Sequence, residues 1–270
     1  MVDIFIKQTK TFIENSGLRF KYHVTHQNSE AVITPNRQSV TVFVTGTTLG
    51  RNNQEFLENH ILQISTLFLL FDVYLDSKYE QLVGKGFAEK YKKLPLGNDV
   101  EIIQKEIYGV LIIFRNALTH DMGSINVESH SISIDRVNSK LQFNFDSLEN
   151  IFTAIIMIIY GIKNYREECY LKYFYQEIVA QVKFVDGCGR NVFLDTTDTM
   201  SLKCNRLESK LDISLYCLDS EKIVIKHHKR VDDLNLYDYI IEVNGEFYQI
   251  PEEVLIDKKI LIENIQKWKI

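Results

Sequence analysis

Arg115, Asn116 and His120 are the residues whose types and spacing could carry out chemistry. A histidine titrates near neutral pH, so it can take up and release protons. An arginine carries a permanent positive charge on a planar fork of donors. When a ribose 2′-OH attacks the adjacent phosphorus, the reaction needs proton transfer and a cation at the phosphorane. This set of residues therefore fits RNA cleavage that needs no metal ion.

The spacing of these residues fixes how they project from a helix. Asn116 lies four residues before His120, so the two share a face, where Asn116 could fix the histidine tautomer or bind a phosphate oxygen. Arg115 lies about 140° around the helix from His120, so its side chain must wrap or the helix must end early. The alternative is electrostatic: Arg115 and His120 would stabilise the helix C-terminus, with Arg115 paired to Asp121.

Two capping-box patterns predict the helices around these residues. Residues 52–55 and 98–101 each have an Asn followed three positions later by a Glu. They open predicted helices over residues 53–80 and 99–120, and Gly123 stops the second. Both segments carry apolar residues at helical spacing. A loop with one helical turn is expected between them.

A further helix and several strands are predicted after the motif. Alternating apolar residues predict short strands over 125–145, with a turn at residues 138–139. Asp146 and Glu149 then cap one long helix over residues 147–180. Its first turns are apolar all round, which indicates deep burial.

The two ends of the chain show mainly strand patterns. Residues 1–16 predict a helix, and residues 20–44 predict a hairpin. Towards the C-terminus, strands are predicted at residues 211–215 and 223–225. Asn244-Gly245 predicts a two-residue hairpin turn, and Pro251 opens a last predicted helix over residues 252–268.

The segment around the motif resembles the HEPN superfamily, whose signature is R-x(4–6)-H. Arg115, Asn116 and His120 match the RNxxxH form of its ribonuclease members. The resemblance covers residues 52–180, with the motif closing the third helix of a four-helix unit and a β-hairpin after it. The flanking segments resemble no family.

This resemblance implies a metal-independent endoribonuclease without a cofactor. His120 would be the general acid/base, Arg115 would stabilise the phosphorane, and Asn116 would orient either group or the phosphate. HEPN ribonucleases usually act as homodimers through the motif helix, with RNA as substrate. The implied setting is bacterial anti-phage defence, abortive infection or a toxin–antitoxin system, with a possible antitoxin or regulatory partner.

Two other HEPN roles bear on the function. In one branch, a partner nucleotidyltransferase modifies a tyrosine two residues after the histidine. Met122 stands at that position here, which weakens this reading. The runner-up is a non-catalytic HEPN scaffold that binds a protein or nucleotide ligand through its C-terminal β domain.

The predicted fold class is α+β, in three domains. Residues 1–51 would form a helix and a β-hairpin, residues 52–182 a HEPN-like four-helix bundle with a β-hairpin insertion, and residues 183–270 a β-rich domain ending in a helix.

Two basic clusters are candidate RNA contacts outside the motif. The first precedes the motif helix and comprises Lys85, Lys90, Lys92 and Lys93. The second follows a predicted strand and comprises Lys226, Lys229 and Arg230. For both, solvated surface is the alternative.

Three further features have ordinary structural alternatives. His60 could join the site from the preceding helix, although a surface histidine is the preferred interpretation. His23 and His26 have no evident third ligand, so no metal site is predicted. Five aromatic residues could stack on bases, but their helical spacing favours a core; they are Tyr165, Tyr170, Tyr173, Phe174 and Tyr175.

Composition limits the class of protein. The 270 residues carry 31 Lys and Arg against 36 Asp and Glu, a formal net charge of −5. This balance argues against a protein that coats nucleic acid by bulk charge, although a small basic site remains compatible. The four cysteines form no CxxC pair, and the longest apolar run, residues 151–162, is shorter than the roughly 20 residues of a membrane span. We expect a cytoplasmic protein without membrane contact.

Overall fold

The protein has an α+β fold that divides into two compact units in a computed structural model. The structure describes residues 2–15, 24–27, 40–45, 59–203, 206–211, 213–219, 221–226 and 236–270. The first unit comprises Met1–Tyr22, Thr47–Ile162 and Glu168–Leu202. The second unit comprises His23–Gly46, Lys163–Glu167 and Lys203–Ile270.

The first unit is mainly helical. Its helices are α1 Val2–Asn15, α2 His60–Lys78, α3 Phe87–Lys93, α4 Asp99–His120, α5 Phe145–Tyr160 and α6 Tyr165–Gln181, whose first turn clusters with the second unit. Helix α2 packs against α1, α4 and α5, and α4 also packs against α3 and α5. Fully buried apolar residues lie where α2 and α4 meet, including Leu67, Phe71, Ile103 and Ile107.

A four-stranded antiparallel sheet completes this unit. Its strands are β3 Ile125–Val127, β4 Ser131–Arg136, β5 Ser139–Asn144 and β6 Lys183–Val185, in that order. The predicted strands after the motif are confirmed. The turn between β4 and β5 lies at residues 137–138, one position earlier than predicted, because Arg136 pairs with Ser139.

The helices around the motif begin at asparagine caps. Helix α4 begins after Asn98, whose side chain accepts a hydrogen bond from the N–H of Glu101 at 3.0 Å, as predicted. Helix α2 begins at His60, later than predicted, because the Asn59 side chain caps it. The predicted capping box at residues 52–55 lies outside the described residues. Between α2 and α4, the predicted single helical turn is the longer helix α3.

The predicted long helix over residues 147–180 is wrong. The chain forms α5 and α6 instead, because Gly161 after α5 adopts a φ of 87°, which does not continue a helix. The start of α5 also differs from the prediction. Asn144, rather than Asp146, caps the helix by accepting a hydrogen bond from the N–H of Ser147 at 2.8 Å.

The second unit contains two sheets. The five-stranded sheet has the order β1-β2-β7-β10-β11, formed by Val24–Gln27, Val40–Thr45, Arg206–Lys210, Leu236–Val243 and Glu246–Pro251. The three-stranded sheet has the order β12-β9-β8, formed by Lys259–Leu261, Lys222–Ile225 and Tyr216–Asp219. The N-terminal hairpin β1-β2 is confirmed, and β2 pairs antiparallel with β7.

The C-terminal predictions are confirmed in part. Strands β10 and β11 form the predicted hairpin, with Asn244 and Gly245 at φ 54° and 79°, as a type I′ turn requires. The strand predicted at residues 211–215 is wrong, because β7 ends at Lys210 and Ile213–Leu215 forms a 3₁₀ turn.

The predicted helix over residues 252–268 is also wrong. Asp257 and Lys258 adopt φ values of 51° and 62°, which no α-helix accommodates. The segment forms a 3₁₀ turn, strand β12 and the four-residue helix α7, Ile262–Ile265.

None of the helices in the described part of the chain has both the length and the apolar character that a bilayer crossing requires.

Candidate functional site

The C-terminal turn of α4 positions the three motif residues. The apolar face of α4 is buried, with Phe114 and Ala117 almost completely covered, and this fixes the rotation of the helix. Arg115 and Asn116 are therefore half-buried, whereas His120 is exposed. The helix continues to His120, so of the two geometries considered, the arginine side chain wraps around the helix.

The structure brings the three motif side chains together. Arg115 Nη1 donates to Asn116 Oδ1 at 3.2 Å and lies 3.4 Å from His120 Nε2. Because a guanidinium can only donate, a hydrogen bond between these groups requires the lone pair of neutral imidazole at Nε2 and the proton at Nδ1. A contact of 3.4 Å is a weak hydrogen bond. A phosphate oxygen could replace His120 as the acceptor for Arg115, and a hydroxyl group could replace Arg115 as the donor to His120 Nε2.

The Asp121 partner considered for Arg115 does not match the geometry. Asp121 Oδ2 lies 3.7 Å from Nε of Arg136 on β4, so Asp121 has a different cationic partner. Among the residues that the structure describes, no carboxylate forms an ion pair with Arg115. Its guanidinium carbon instead lies 4.5 Å from the ring centroid of Phe87, the first residue of α3.

The first basic cluster is only partly on the surface. Lys90 is buried, and its Nζ lies 2.9 Å from Asp72 Oδ1 and 2.7 Å from Asp76 Oδ1. The prediction of an RNA contact at Lys90 is therefore wrong, because its ammonium group is enclosed by carboxylates. Lys85 and Lys93 are exposed and both lie close to Glu89, whose pKa they lower, mainly through the hydrogen bond from Lys93. Lys92 is exposed.

The second basic cluster is described only at its first member. Lys226 Nζ donates to the carbonyl of Ser214 at 2.9 Å. Lys229 and Arg230 lie outside the described residues, as does His23. His26 lies on β1. Among the described residues, no group of three or more His, Cys, Asp or Glu side chains could hold a metal ion.

His60 is half-buried rather than a surface residue. Its ring stacks on Phe145 at 3.9 Å between centroids, and burial lowers its pKa, against an opposing hydrogen bond with Gln63. The aromatic residues of α6 favour the core interpretation, since Tyr170, Phe174 and Tyr175 are buried.

A pocket of about 510 Å³ lies in the second unit, beside β8 and β10. Apolar side chains predominate in its lining, including Leu211, Ile213, Leu218 and Phe247, and Lys210 and Glu242 add opposite charges. Lys210 Nζ lies 5.1 Å from the Phe247 ring centroid. Sequence patterns did not indicate this pocket, because its lining comes from strands distant in sequence.

Phe87 is the neighbour of the motif that sequence reasoning missed. It follows Gly86 in a segment predicted as loop, and nothing in its spacing relates it to Arg115. Comparisons of the chain with protein-family models, curated proteins and solved structures find no match. The motif residues and their geometry are therefore the basis for a proposed function.

Proposed function

We propose that the protein is a metal-independent endoribonuclease of the HEPN type. The observation that carries this proposal is the contact of 3.4 Å between the Arg115 guanidinium and Nε2 of His120, at an exposed helix end. A base and a cation beside each other are what 2′-OH attack on a phosphodiester needs. The packing of α2 and α5 against the motif helix α4 supports a HEPN-like arrangement.

In the proposed reaction, His120 Nε2 takes the proton of the ribose 2′-OH. The freed oxygen attacks the adjacent phosphorus, and the bond to the 5′-oxygen breaks. The products are a 2′,3′-cyclic phosphate and a 5′-hydroxyl end, whose proton comes from an imidazolium. Arg115 stabilises the negative charge on the phosphorane oxygens, and Asn116 holds the guanidinium through its Oδ1.

A homodimer through the motif helix is part of this proposal. One imidazole cannot act as base and acid in the same step, whereas two copies would supply both groups. The exposure of His120 on α4 supports an approach by a second copy. By resemblance, the proposed setting is bacterial anti-phage defence, abortive infection or a toxin–antitoxin system.

A second candidate function is a non-catalytic scaffold that binds a ligand through its β-rich C-terminal part. The pocket of about 510 Å³ in the second unit favours it, because its volume and apolar lining suit a small molecule. The two functions differ in one respect that is simple to measure. A scaffold would leave RNA intact.

The test is cleavage of total RNA by the purified full chain in EDTA. We expect fragments ending in 2′,3′-cyclic phosphate, and a rate lower by roughly 10²–10⁴-fold in both His120→Ala and Arg115→Ala. His130→Ala is the matched control, since His130 is also exposed, and it should retain activity. Intact RNA with the wild-type chain under all conditions, or cleavage by both variants at the wild-type rate, would refute the proposal.

A further inference from the structure

The reach of Arg115 around α4 needs a support outside its own helix. A long side chain that spans about 140° of helix surface loses rotamer freedom when it is held in one geometry. Its hydrogen bond to Asn116 fixes one nitrogen atom only. The Phe87 ring centroid, 4.5 Å from the guanidinium carbon, provides a second point of contact.

Phe87 is itself held in place from two directions. The Phe68 ring contacts it in a T-shaped arrangement at 5.2 Å between centroids, and Phe68 is buried. The Lys90 ammonium lies 5.9 Å from the Phe87 centroid and is bound to Asp72 and Asp76 on α2. The start of α3 is thus tied to α2, and the Phe87 ring is half-buried beside Arg115.

An aromatic ring supports an arginine without neutralising it. A carboxylate partner would occupy the guanidinium donors and cancel the charge that a phosphate must meet. A ring face attracts the cation through its quadrupole and leaves the N–H groups free to bind an anion. A half-buried ring is therefore a suitable partner for an arginine whose side chain must be held in place while its N–H groups bind an anion.

We propose that Phe87 is a positioning residue for Arg115: the Phe87 ring keeps the guanidinium beside His120 and available to a phosphate oxygen. Its role in a reaction rests on the proposed ribonuclease function, whereas its effect on the Arg115 side chain does not. The inference therefore predicts one kinetic and one structural consequence.

The kinetic test compares Phe87→Leu with Phe87→Tyr in the full chain, on a fluorogenic single-stranded RNA oligonucleotide of mixed sequence. We expect kcat to fall roughly 5- to 30-fold in Phe87→Leu, with KM changed less than about twofold, because the contact matters when charge develops. Phe87→Tyr keeps a ring and should stay within about twofold of wild type. An unchanged kcat in Phe87→Leu, or an equal loss in Phe87→Tyr, would overturn the inference.

Phe145→Leu is the matched control for general loss of packing. Phe145 is also half-buried and also begins a helix, but its ring contacts His60 instead of Arg115. We expect its kcat to stay within about twofold of wild type. If Phe145→Leu lowers kcat as much as Phe87→Leu does, a general packing defect explains both variants and the inference fails.

The structural test does not depend on cleavage. NMR relaxation of the Arg115 Nε–H group should show greater side-chain motion in Phe87→Leu than in the wild type, and wild-type motion in Phe87→Tyr. If the wild-type chain cleaves no RNA, the proposed function fails while this measurement still decides the position of Arg115. Equal motion of Arg115 in wild type and Phe87→Leu would refute the inference, whether or not RNA is cleaved.

Discussion

Replacement of Lys90 by methionine separates a structural role from an RNA contact. Methionine retains much of the apolar side chain but removes the ammonium group. In the protein, this group lies between Asp72 and Asp76 of α2, with its side chain only 4% exposed. Asp72 Oδ1 also accepts a hydrogen bond from the hydroxyl of Tyr108 on α4, at 2.5 Å. The substitution therefore leaves two carboxylates facing each other without their shared cation.

The geometry sets the size of the effect. Two ion pairs near 3 Å are each worth roughly 5 kcal/mol at an effective dielectric constant of about 20, before the cost of burying the lysine is subtracted. The carboxylates are 16% and 25% exposed, so water can only partly replace the ammonium group. We expect Lys90→Met to lower the free energy of unfolding by about 3–5 kcal/mol, the usual cost of breaking a buried pair from one side.

The assay is urea unfolding followed by far-ultraviolet circular dichroism, with Lys92→Met as the matched control. Lys92 lies on the same helix but is exposed, so its substitution should change the unfolding free energy by less than about 0.5 kcal/mol. Adding Asp76→Asn to Lys90→Met should restore part of the loss, since it removes one of the facing charges. A Lys90→Met variant as stable as the wild type would refute this structural role of Lys90. A substitution whose main effect is a weaker salt dependence of RNA binding would also refute it, because a phosphate contact gives that effect.

Two further predictions concern the second unit and the break between α5 and α6. Burial raises the pKa of the Glu208 carboxyl group to about 7 in the folded protein. The protonated, neutral carboxyl group therefore stabilises the folded state relative to the unfolded state. The stability that protonated Glu208 contributes is fully present below the ordinary pKa near 4.5 and is lost as pH rises through about 7. In urea unfolding, the free energy of unfolding of the wild type should therefore fall by about 2 kcal/mol more than that of Glu208→Gln between about pH 5 and 8. Equal decreases in the two proteins would contradict this assignment. Gly161→Ala should destabilise the chain by about 1–2 kcal/mol because alanine is strained at a φ of 87°. Thermal unfolding gives the sign, and stabilisation would instead support the continuous helix that the sequence predicts.

The features that depend on neighbouring residues were predictable from the sequence. Helix α4 has the predicted bounds because Asn98 and an apolar stripe specify it locally. The wrap of Arg115 towards His120 is one of the two geometries that the helical spacing of these residues allows. The hairpin at Asn244-Gly245 formed because both residues tolerate a positive φ.

The features that depend on distant residues were not predictable in this way. The pairing of β2 with β7 joins the N-terminal hairpin to strands near the C-terminus, and no local pattern encodes such a pairing. The helix predicted after Pro251 does not form because Asp257 and Lys258 adopt positive φ values, which their residue types do not predict.

For the buried position of Lys90, the sequence does contain a signal. Asp72 and Asp76 are four residues apart, so they share a face of α2 and can bind one cation.

The placement of the lysines narrows how an acidic protein could act on RNA under the proposed function. Lys90 is held by carboxylates, Lys85 and Lys93 share Glu89, and Lys226 is bound to a backbone carbonyl. Within the described part of the chain, these four lysines therefore add little positive charge for phosphates, whereas Lys92 is exposed. Arg115 differs because a ring supports it and no described carboxylate opposes it. A second copy of α4 would double the positive charge of Arg115 within one cleft. A net charge of −5 is therefore compatible with local binding of a phosphate, although it disfavours a surface that coats RNA.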